Sequence, residues 1–337
     1  KTGAVDAMVA IGNNFFYTRS LPCTLWFFDR SKELDPEKSD KVLMLDARKI
    51  YRKVTSKVND FSPEQLQNLI CIVNLYRRNR QKFEDTVKTY LETAAGLASE
   101  TSKTTDELQK QIQKTLNILN DFATKYSLEN KEAQKFSDDL GLLEIDEVFE
   151  LQDTLIKAAV SPKADIEELE NIAQSCKSLR KPQDKLIKQL LDSINTATKE
   201  YQLGKNKDWK ELNLQAQCLA PLKALQQQLS GNPDEEEPGL LHETEYFWKQ
   251  AHWLTSRFPD SIYADVEGLC KVVSQEEIAS KDWSLSPGRY VGVDAATDDD
   301  VDYEERLKEI HIELEGLNEE AIALAKTISE NYKVISI

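Results

Sequence analysis

Residues 5–29 read VDAMVAIGNNFFYTRSLPCTLWFFD, and this stretch decides how the rest of the chain is interpreted. Two short runs rich in β-branched and aromatic residues, Val5–Ile11 and Leu21–Phe28, flank a polar loop, which is the pattern of two strands joined by a loop. Such apolar strands need a core beside them. We therefore predict the edge of a sheet, with Val42–Leu45 as a third, buried strand that leads directly into a helix at Ala47–Lys49.

Most of the chain after Asp46 has helical patterning. Ser62, Pro63 and Gln65 form a capping box with proline at the first helical position. Between Arg80 and Leu241, leucine and isoleucine recur every three or four residues, which is typical of amphipathic helices packed along one face. Within this region the sequence predicts a second capping box at Thr104–Glu107 and helix breaks near Ser161-Pro162, Lys181-Pro182 and Gly204.

The last third of the chain mixes helices with turns. Gly231–Gly239 is predicted to be a linker, and the following helix carries aromatic residues over Tyr246–Leu254 that either pack into a core or stack on bases, with packing favoured. Ser274 is predicted to cap a short helix, LSPGRYVGV (285–293) cannot be a regular helix, and Asp298–Asp300 with Asp302 form an acidic run. The final helix has a heptad seam formed by Leu307, Ile310, Leu314, Leu317, Ala321, Leu324 and Ile328.

Composition limits the classes of function. The chain has 59 acidic and 43 basic residues, so its overall field repels phosphate, and any contact with DNA must be local. Five separated cysteines and three histidines indicate a reduced, cytoplasmic protein without a disulfide framework or a His-rich metal site. No apolar run is long enough to span a membrane. Since the chain begins at Lys1 and enters a strand almost at once, we expect further polypeptide upstream.

No sequence motif supplies a complete active site. Glycine-rich phosphate loops, nucleophile elbows and clustered metal ligands are missing from the sequence, so no residue of this chain is assigned as catalytic. One loop could still take part in chemistry. It follows the first strand, and its Phe15 and Phe16 could stack on an extruded base. From composition alone it is equally possible that both phenylalanines cap the core beneath the sheet.

Three segments resemble one family. They are VDAMVAIGNNFFYTRSLPCTLWFFDR (5–30), DKVLMLDARKIYRKV (40–54) and YADVEGLCKVVSQEEIASKDWSLSPGRYVGVDAATDDDVDYEERLKEI (263–310), and LSPGRYVGV is the most specific part. Together they resemble the carboxyl-terminal half of the modification (M) subunit of type I restriction-modification systems, an N6-adenine DNA methyltransferase. The strong resemblance covers about half of the chain, and the helical region between is matched loosely.

The resemblance implies a fold and a mechanism. The two first strands would close the Rossmann-like sheet of an S-adenosylmethionine-dependent enzyme, whose cofactor loop and Asn-Pro-Pro-Phe motif would lie on earlier strands. Neither motif occurs here, so the chain alone is expected to be inactive. The residue-level role that carries over is that of the aromatic side chain against the flipped adenine, with Phe16 preferred and Phe15 as the alternative. Gly288, Arg289, Tyr290 and Gly292 are interpreted as a structural clasp.

The resemblance also implies partners. These partners are DNA, a specificity (S) subunit and a restriction (R) subunit. No contact with a membrane is expected. The seam residues Leu307, Ile310, Leu314, Leu317, Leu324 and Ile328 are the first candidates for contact with the specificity subunit, and Tyr246–Leu254 the second; packing onto the chain's own body is the alternative. The alternative function is a non-catalytic helical scaffold.

The expected fold class is therefore a predominantly α-helical α+β fragment with a coiled-coil-like last helix. The segments are 1–60 (closing strands), 61–100 (helical packing segment), 101–240 (helical insertion), 241–300 (return segment) and 301–337 (terminal amphipathic helix).

Overall fold

The chain is described by a computed structural model that divides it into two compact units. The first unit comprises Lys1–Glu84 and Ser256–Ile337, and the second comprises Asp85–Thr255. The structure describes residues 3–16, 19–55, 57–126, 130–232 and 237–293, together with helical positions 307, 310, 311, 314, 315, 317, 318, 321, 322 and 324–326.

A mixed four-stranded sheet organises the first unit. Its strands are β1 (Val5–Ile11), β2 (Cys23–Phe28), β3 (Lys41–Ala47) and β8 (Cys270–Ser274), and their order is β2-β1-β3-β8. β1 pairs antiparallel with β2 and parallel with β3, and β3 pairs antiparallel with β8. The predicted strand pair and the third strand are confirmed. The sheet contributes Met8, Val42, Met44 and Val273 to a core that Ile278, Tyr290 and Val291 complete.

The prediction of a helix directly after β3 is wrong. The chain turns at Arg48 and Lys49 and forms a small antiparallel hairpin of β4 (Arg52–Thr55) and β5 (Val58–Asp60). The Asp46 side chain accepts a hydrogen bond from the backbone N–H of Arg48 at 3.1 Å, which satisfies that group in a turn rather than in a helix.

Helix α1 (Pro63–Tyr76) begins as the sequence predicts. The Ser62 hydroxyl accepts from the Gln65 N–H at 3.1 Å, and the Gln65 side chain accepts from the Ser62 N–H at 3.0 Å. Both bonds satisfy donors that the first turn leaves without helical partners. Ser274 likewise caps α9 (Gln275–Ser280) by accepting from the Glu277 N–H.

The second unit consists mainly of helices. The remaining elements are α2 (Arg80–Tyr126), α3 (Lys131–Gly141), α4 (Ile145–Ala158), α5 (Ile166–Lys199), α6 (Lys207–Glu211), a π-helical turn (Gln215–Leu219), α7 (Ala220–Ser230), β6 (Gly231–Asn232), β7 (Glu237–Pro238) and α8 (Leu240–Arg257). β6 and β7 pair across the predicted linker, of which residues 233–236 lie outside the described residues. The apolar stripes predicted from the sequence form one continuous core that includes Leu108, Ile112, Leu155, Ile172 and Leu190.

Two predicted helix boundaries in this unit are wrong. Thr104–Glu107 lies inside α2, where Thr104 and Thr105 are buried, so tertiary packing replaces the predicted cap. Pro182 lies inside α5, which continues from Ile166 to Lys199 because apolar residues on both sides of the proline, including Leu179 and Leu186, are buried in the core. The breaks near Ser161-Pro162 and Gly204 are confirmed.

The aromatic residues of α8 pack within the helical unit. Trp248 and Phe247 contact its core, the Trp248 indole N–H donates to the Ile166 carbonyl at 3.0 Å, and the Phe247 ring lies 6.2 Å from that of Tyr90. Packing, rather than base stacking, therefore explains these two side chains.

The predicted fold class is confirmed, since a small mixed sheet accompanies a predominantly helical chain. Among the described helices, none combines the length and the apolar character needed to cross a bilayer.

Candidate functional site

The loop after β1 leaves the sheet at an edge that suits ligand binding. Ile11 at the end of β1 is paired with Ala47 at the end of β3, so the carboxyl ends of these two parallel strands lie side by side. In open α/β sheets, ligands bind beyond the carboxyl ends of such strands. The loop that carries Phe15 and Phe16 begins at this edge.

Backbone contacts fix the start of the loop. A Cβ atom placed on Gly12 would lie 2.7 Å from the Arg48 carbonyl oxygen, so this position has room only for glycine. Asn59, on β5, donates its backbone N–H to the Asn14 carbonyl at 2.8 Å and its side-chain amide to the Asn13 carbonyl at 3.1 Å. The β4–β5 hairpin therefore holds the loop in place, a connection that the sequence did not reveal.

The two phenylalanines of the loop have different environments. The Phe15 ring lies 4.6 Å from the Phe61 ring and is partly buried, whereas Phe16 is 48% exposed. The Phe16 carbonyl accepts from the Arg19 N–H at 3.3 Å. Phe15 therefore anchors the loop, and the Phe16 ring lies at the surface, so its contact with a base stays a prediction. Tyr17 lies outside the described residues.

Asp46 and Arg48 form a second fixed group at the same edge. The Arg48 guanidinium donates to both carboxylate oxygens of Asp46, at distances from 2.6 to 3.1 Å, and this hydrogen bonding raises the pKa of Arg48. A Cβ on Gly288 would lie 2.4 Å from Arg48 Nη2, so the LSPGRYVGV turn packs closely on this ion pair.

The other predicted clasp residues make contacts within the first unit. The Tyr290 ring is buried, and its hydroxyl donates to the Ser284 carbonyl at 2.5 Å while the Lys281 ammonium lies 4.4 Å from the ring centroid. The Arg289 carbonyl accepts from Lys281 at 2.9 Å. Gly292 has a φ of +78°, a left-handed conformation that favours glycine. Contacts of this kind are typical of structural residues. The assignment of these residues as a clasp stays a prediction.

The predicted partner seam lies on helical positions near the carboxyl terminus. Leu307, Ile310, Leu314, Leu317 and Leu324 are 61, 40, 54, 55 and 61% exposed. Ile328 lies outside the described residues, as do Asp298–Asp300 and Asp302. The described part of the seam therefore presents an apolar stripe at the surface.

The comparison with known families matches the amino-terminal part of the chain. Residues 1–99 match the family described as N-6 DNA Methylase. This segment is similar to N6-adenine DNA methyltransferases. It includes β1–β5, α1 and the beginning of α2, and thus the whole loop around Phe16. Neither a curated protein nor a solved structure matches the chain.

Such methyltransferases use S-adenosylmethionine, and the residues present do not fit this cofactor. A cavity of about 410 Å³ in the first unit is lined by Lys38, Lys41, Arg78 and Arg80, and its acidic residue Glu37 is paired with Arg78. Lys38 and Arg80 are likewise paired, with Asp35 and Glu84, so the lining of this cavity offers no unpaired carboxylate to a positively charged sulfonium. In addition, no group of three or more His, Cys, Asp or Glu residues in the described part of the chain is arranged to hold a metal ion.

Proposed function

We propose that the chain is the carboxyl-terminal part of the modification subunit of a type I restriction-modification system. This subunit transfers a methyl group from S-adenosylmethionine to N6 of adenine in DNA. The observation that carries the proposal is the match of residues 1–99 to the N-6 DNA methylases, because it includes the strands and the loop that the resemblance assigns to the target base.

The exposure of the apolar side chains of β2 supports the proposal that this sheet is incomplete. β2 lies at the edge of the four-stranded sheet, yet Leu25, Trp26, Phe27 and Phe28 are 41, 52, 45 and 66% exposed. Successive side chains of a strand point to opposite faces, so both faces of β2 are apolar. This composition is typical of a strand inside a sheet that is covered on both sides. In the proposal, further strands of the methyltransferase domain pair with β2, and that part of the domain binds S-adenosylmethionine.

The role of this chain in the reaction is to position the base. Phe16 stacks on the face of the extruded adenine, and Phe15 holds the loop by its contact with Phe61. Stacking restricts the ring to one plane without transferring a proton. The methyl group itself comes from S-adenosylmethionine when that cofactor is bound.

The apolar stripe near the carboxyl terminus supports the proposal that a helix of a partner subunit packs against it. In the proposal, Leu307, Ile310, Leu314, Leu317 and Leu324 pack against a helix of the specificity subunit, which reads the DNA sequence, and a restriction subunit joins the same complex. Ile322 offers a control because it is 70% exposed but lies off the heptad seam. Leu314→Glu with Leu317→Glu is expected to release the specificity subunit in co-purification, whereas Ile322→Glu is expected to leave it bound.

The enzymatic proposal is tested by measuring methyl transfer to adenine. The complete modification subunit is purified with its specificity partner, and transfer of labelled methyl groups to duplex DNA is counted. Incorporation into adenine N6 is expected. A complex that neither binds S-adenosylmethionine nor labels DNA would overturn the proposal and favour the alternative of a non-catalytic helical scaffold, for which the large helical unit Asp85–Thr255 provides the body.

A further inference from the structure

Three buried polar side chains lie within the apolar core of the helical unit. They are Thr105 on α2, Gln152 on α4 and Gln183 on α5, and each is 0% exposed. Apolar core residues flank them on the same helices, namely Leu108, Leu155 and Leu186. Burial of a polar group in such surroundings lowers stability unless its hydrogen bonds are made within the core.

Side-chain hydrogen bonds align α2 with α4. The Ser102 hydroxyl donates to the Ile156 carbonyl at 3.1 Å. Further along α2, the Gln109 amide donates to the Asp153 carboxylate at 2.9 Å and to the Phe149 carbonyl at 3.5 Å. Residue numbers rise along α2 while they fall along α4, so the two helices run antiparallel at this contact.

Thr105 and Gln152 occupy facing positions between these bonds. Thr105 lies three residues after the first α2 donor and four before the second, and Gln152 has the same spacings between the two α4 carbonyls. Residues at these spacings share one helix face. Gln152 also donates from Nε2 to Gln183 Oε1 at 2.9 Å, which brings α5 to the same place. We name these three side chains the polar layer.

Each member of the polar layer has one polar atom without a hydrogen-bond partner among the described residues. These atoms are Thr105 Oγ1, Gln152 Oε1 and Gln183 Nε2. Their chemistry is complementary, because the Gln152 oxygen accepts, the Gln183 nitrogen donates and the hydroxyl does either. None of the three groups carries a charge. The layer therefore suits a small neutral molecule that both donates and accepts hydrogen bonds.

We propose that the polar layer binds one ordered internal water molecule. The water oxygen accepts from Gln183 Nε2, one water hydrogen is donated to Gln152 Oε1, and the Thr105 hydroxyl makes the third bond. Three hydrogen bonds are typical of a buried water. A metal ion does not suit the layer, because the amide N–H of Gln183 donates rather than accepts. The proposal does not depend on the proposed function, since all three residues belong to the helical unit.

The bound water links α2 to both α4 and α5 inside the core. If one helix slid by a turn along another, these groups would stay buried but would lose their partners, and buried polar groups without partners lower stability. The water-linked layer thus fixes the axial register of the three helices, which apolar contacts alone specify less strictly.

The sign of one stability change tests the proposal. Thr105→Val keeps the shape of the side chain and removes its hydroxyl. With the water bound, this substitution removes a hydrogen bond and is expected to lower the thermal unfolding midpoint of the full 337-residue chain by about 2–4 °C. If the hydroxyl instead has no partner, its removal relieves an unsatisfied buried group, and the midpoint rises. Far-ultraviolet circular dichroism follows the unfolding.

Thr115→Val is the matched control. Thr115 lies on the same helix, is also 0% exposed, and donates its hydroxyl to the Gln111 carbonyl at 2.8 Å. Its substitution therefore measures the loss of a buried hydroxyl that has a hydrogen-bond partner. A similar fall in both variants supports the water. A midpoint that is unchanged or raised in Thr105→Val, while Thr115→Val lowers it, overturns the proposal.

A crystal structure of the full chain supplies a second, independent measurement. An ordered water within about 3.2 Å of all three polar atoms is expected. A direct hydrogen bond from Gln183 Nε2 to Gln152 Oε1, with no water between the side chains, would show a dry layer and overturn the proposal. Neither measurement involves methyl transfer, so both outcomes are independent of whether the complete complex methylates DNA.

Discussion

The carbonyl oxygen of Arg48 occupies the space that a side chain on Gly12 would need. A Cβ on Gly12 would lie 2.7 Å from this oxygen and 3.5 Å from the Arg48 carbonyl carbon. The contact is between backbone atoms at the end of β1 and backbone atoms in the turn after β3. Neither segment can move without shifting the strand to which it is attached. The position of the Phe16 loop thus depends on the absence of a methyl group at residue 12.

Gly12→Ala is accordingly expected to destabilise the chain by about 1–3 kcal/mol, the usual cost of overpacking. The free energy of unfolding is measured with urea. Gly96→Ala is the control, because a Cβ at Gly96 meets no atom within 4 Å and alanine favours the α2 helix. That substitution is expected to stabilise by about 0.5–1 kcal/mol. Equal effects of the two substitutions would contradict the close contact at Arg48.

Replacing the two loop phenylalanines is expected to separate anchoring from stacking. Phe15→Ala should lower the free energy of unfolding because the ring packs on Phe61, whereas Phe16→Ala should leave it nearly unchanged because the ring is 48% exposed. In the complete enzyme, Phe16→Ala should weaken base positioning by about 1–3 kcal/mol. Turnover and base extrusion, the latter followed by 2-aminopurine fluorescence at the target, are the measurements. Unchanged values of both in Phe16→Ala would remove this residue from the site.

The phenylalanine pair illustrates what the sequence could and could not reveal. Adjacent identical residues in one loop carry no local signal that distinguishes them. Their difference arises from Phe61 and Asn59, which are far along the chain and are brought to the loop by the β4–β5 hairpin. The sequence predicts a helix directly after β3, near this hairpin, so the anchoring contact could not be foreseen.

A similar distinction holds for the helices. Ser62 and Gln65 form a cap whose bonds are local, and the sequence predicted it correctly. Thr104 and Pro182 carry equally strong local signals, but both lie inside long helices. Burial of the apolar residues on either side outweighs an unused cap or one missing backbone hydrogen bond.

The ion pair between Arg180 and Glu245 is buried in the helical unit and should behave as a coupled pair. The side chains are 11 and 7% exposed, and Lys249 also contacts Glu245, with an N–O distance of 2.8 Å. Arg180→Met or Glu245→Leu alone is expected to cost about 3–5 kcal/mol because each leaves a buried charge without its main partner. The double substitution should cost much less than the sum. A double-mutant cycle in urea measures the coupling, and additive single effects would contradict it.

Acid sensitivity is expected at the junction of α2 and α6. Asp208 accepts hydrogen bonds from the Lys125 ammonium and the Tyr126 hydroxyl, and these lower the pKa of Asp208 below its usual 3.8. Because unfolding restores the higher pKa, the unfolded state takes up the proton first as the pH falls. The stabilisation is therefore present at neutral pH and is lost progressively below about pH 4, as the pH falls through the folded-state pKa.

The measurement compares Asp208→Asn with the unaltered chain across this range. The difference in free energy of unfolding should be present at pH 7 and should shrink as the pH falls below about 4. Glu211→Gln, which removes an exposed carboxylate of α6 paired with Lys207, is the control and should change stability little at either pH. A difference for Asp208→Asn that is independent of pH would contradict the assignment.

The exposed aromatic side chains of the edge strand β2 affect how the unassembled protein aggregates and is degraded. A strand that presents Trp26 and Phe28 at the surface, beside an open row of backbone donors and acceptors, pairs readily with any extended peptide, including another copy of itself. If further strands pair with β2, as in the proposed function, chains in which β2 is still unpaired are the ones most exposed to aggregation and to quality-control proteases. We expect cellular abundance to follow assembly, because the exposed Leu25, Trp26, Phe27 and Phe28 would limit how much unassembled protein accumulates.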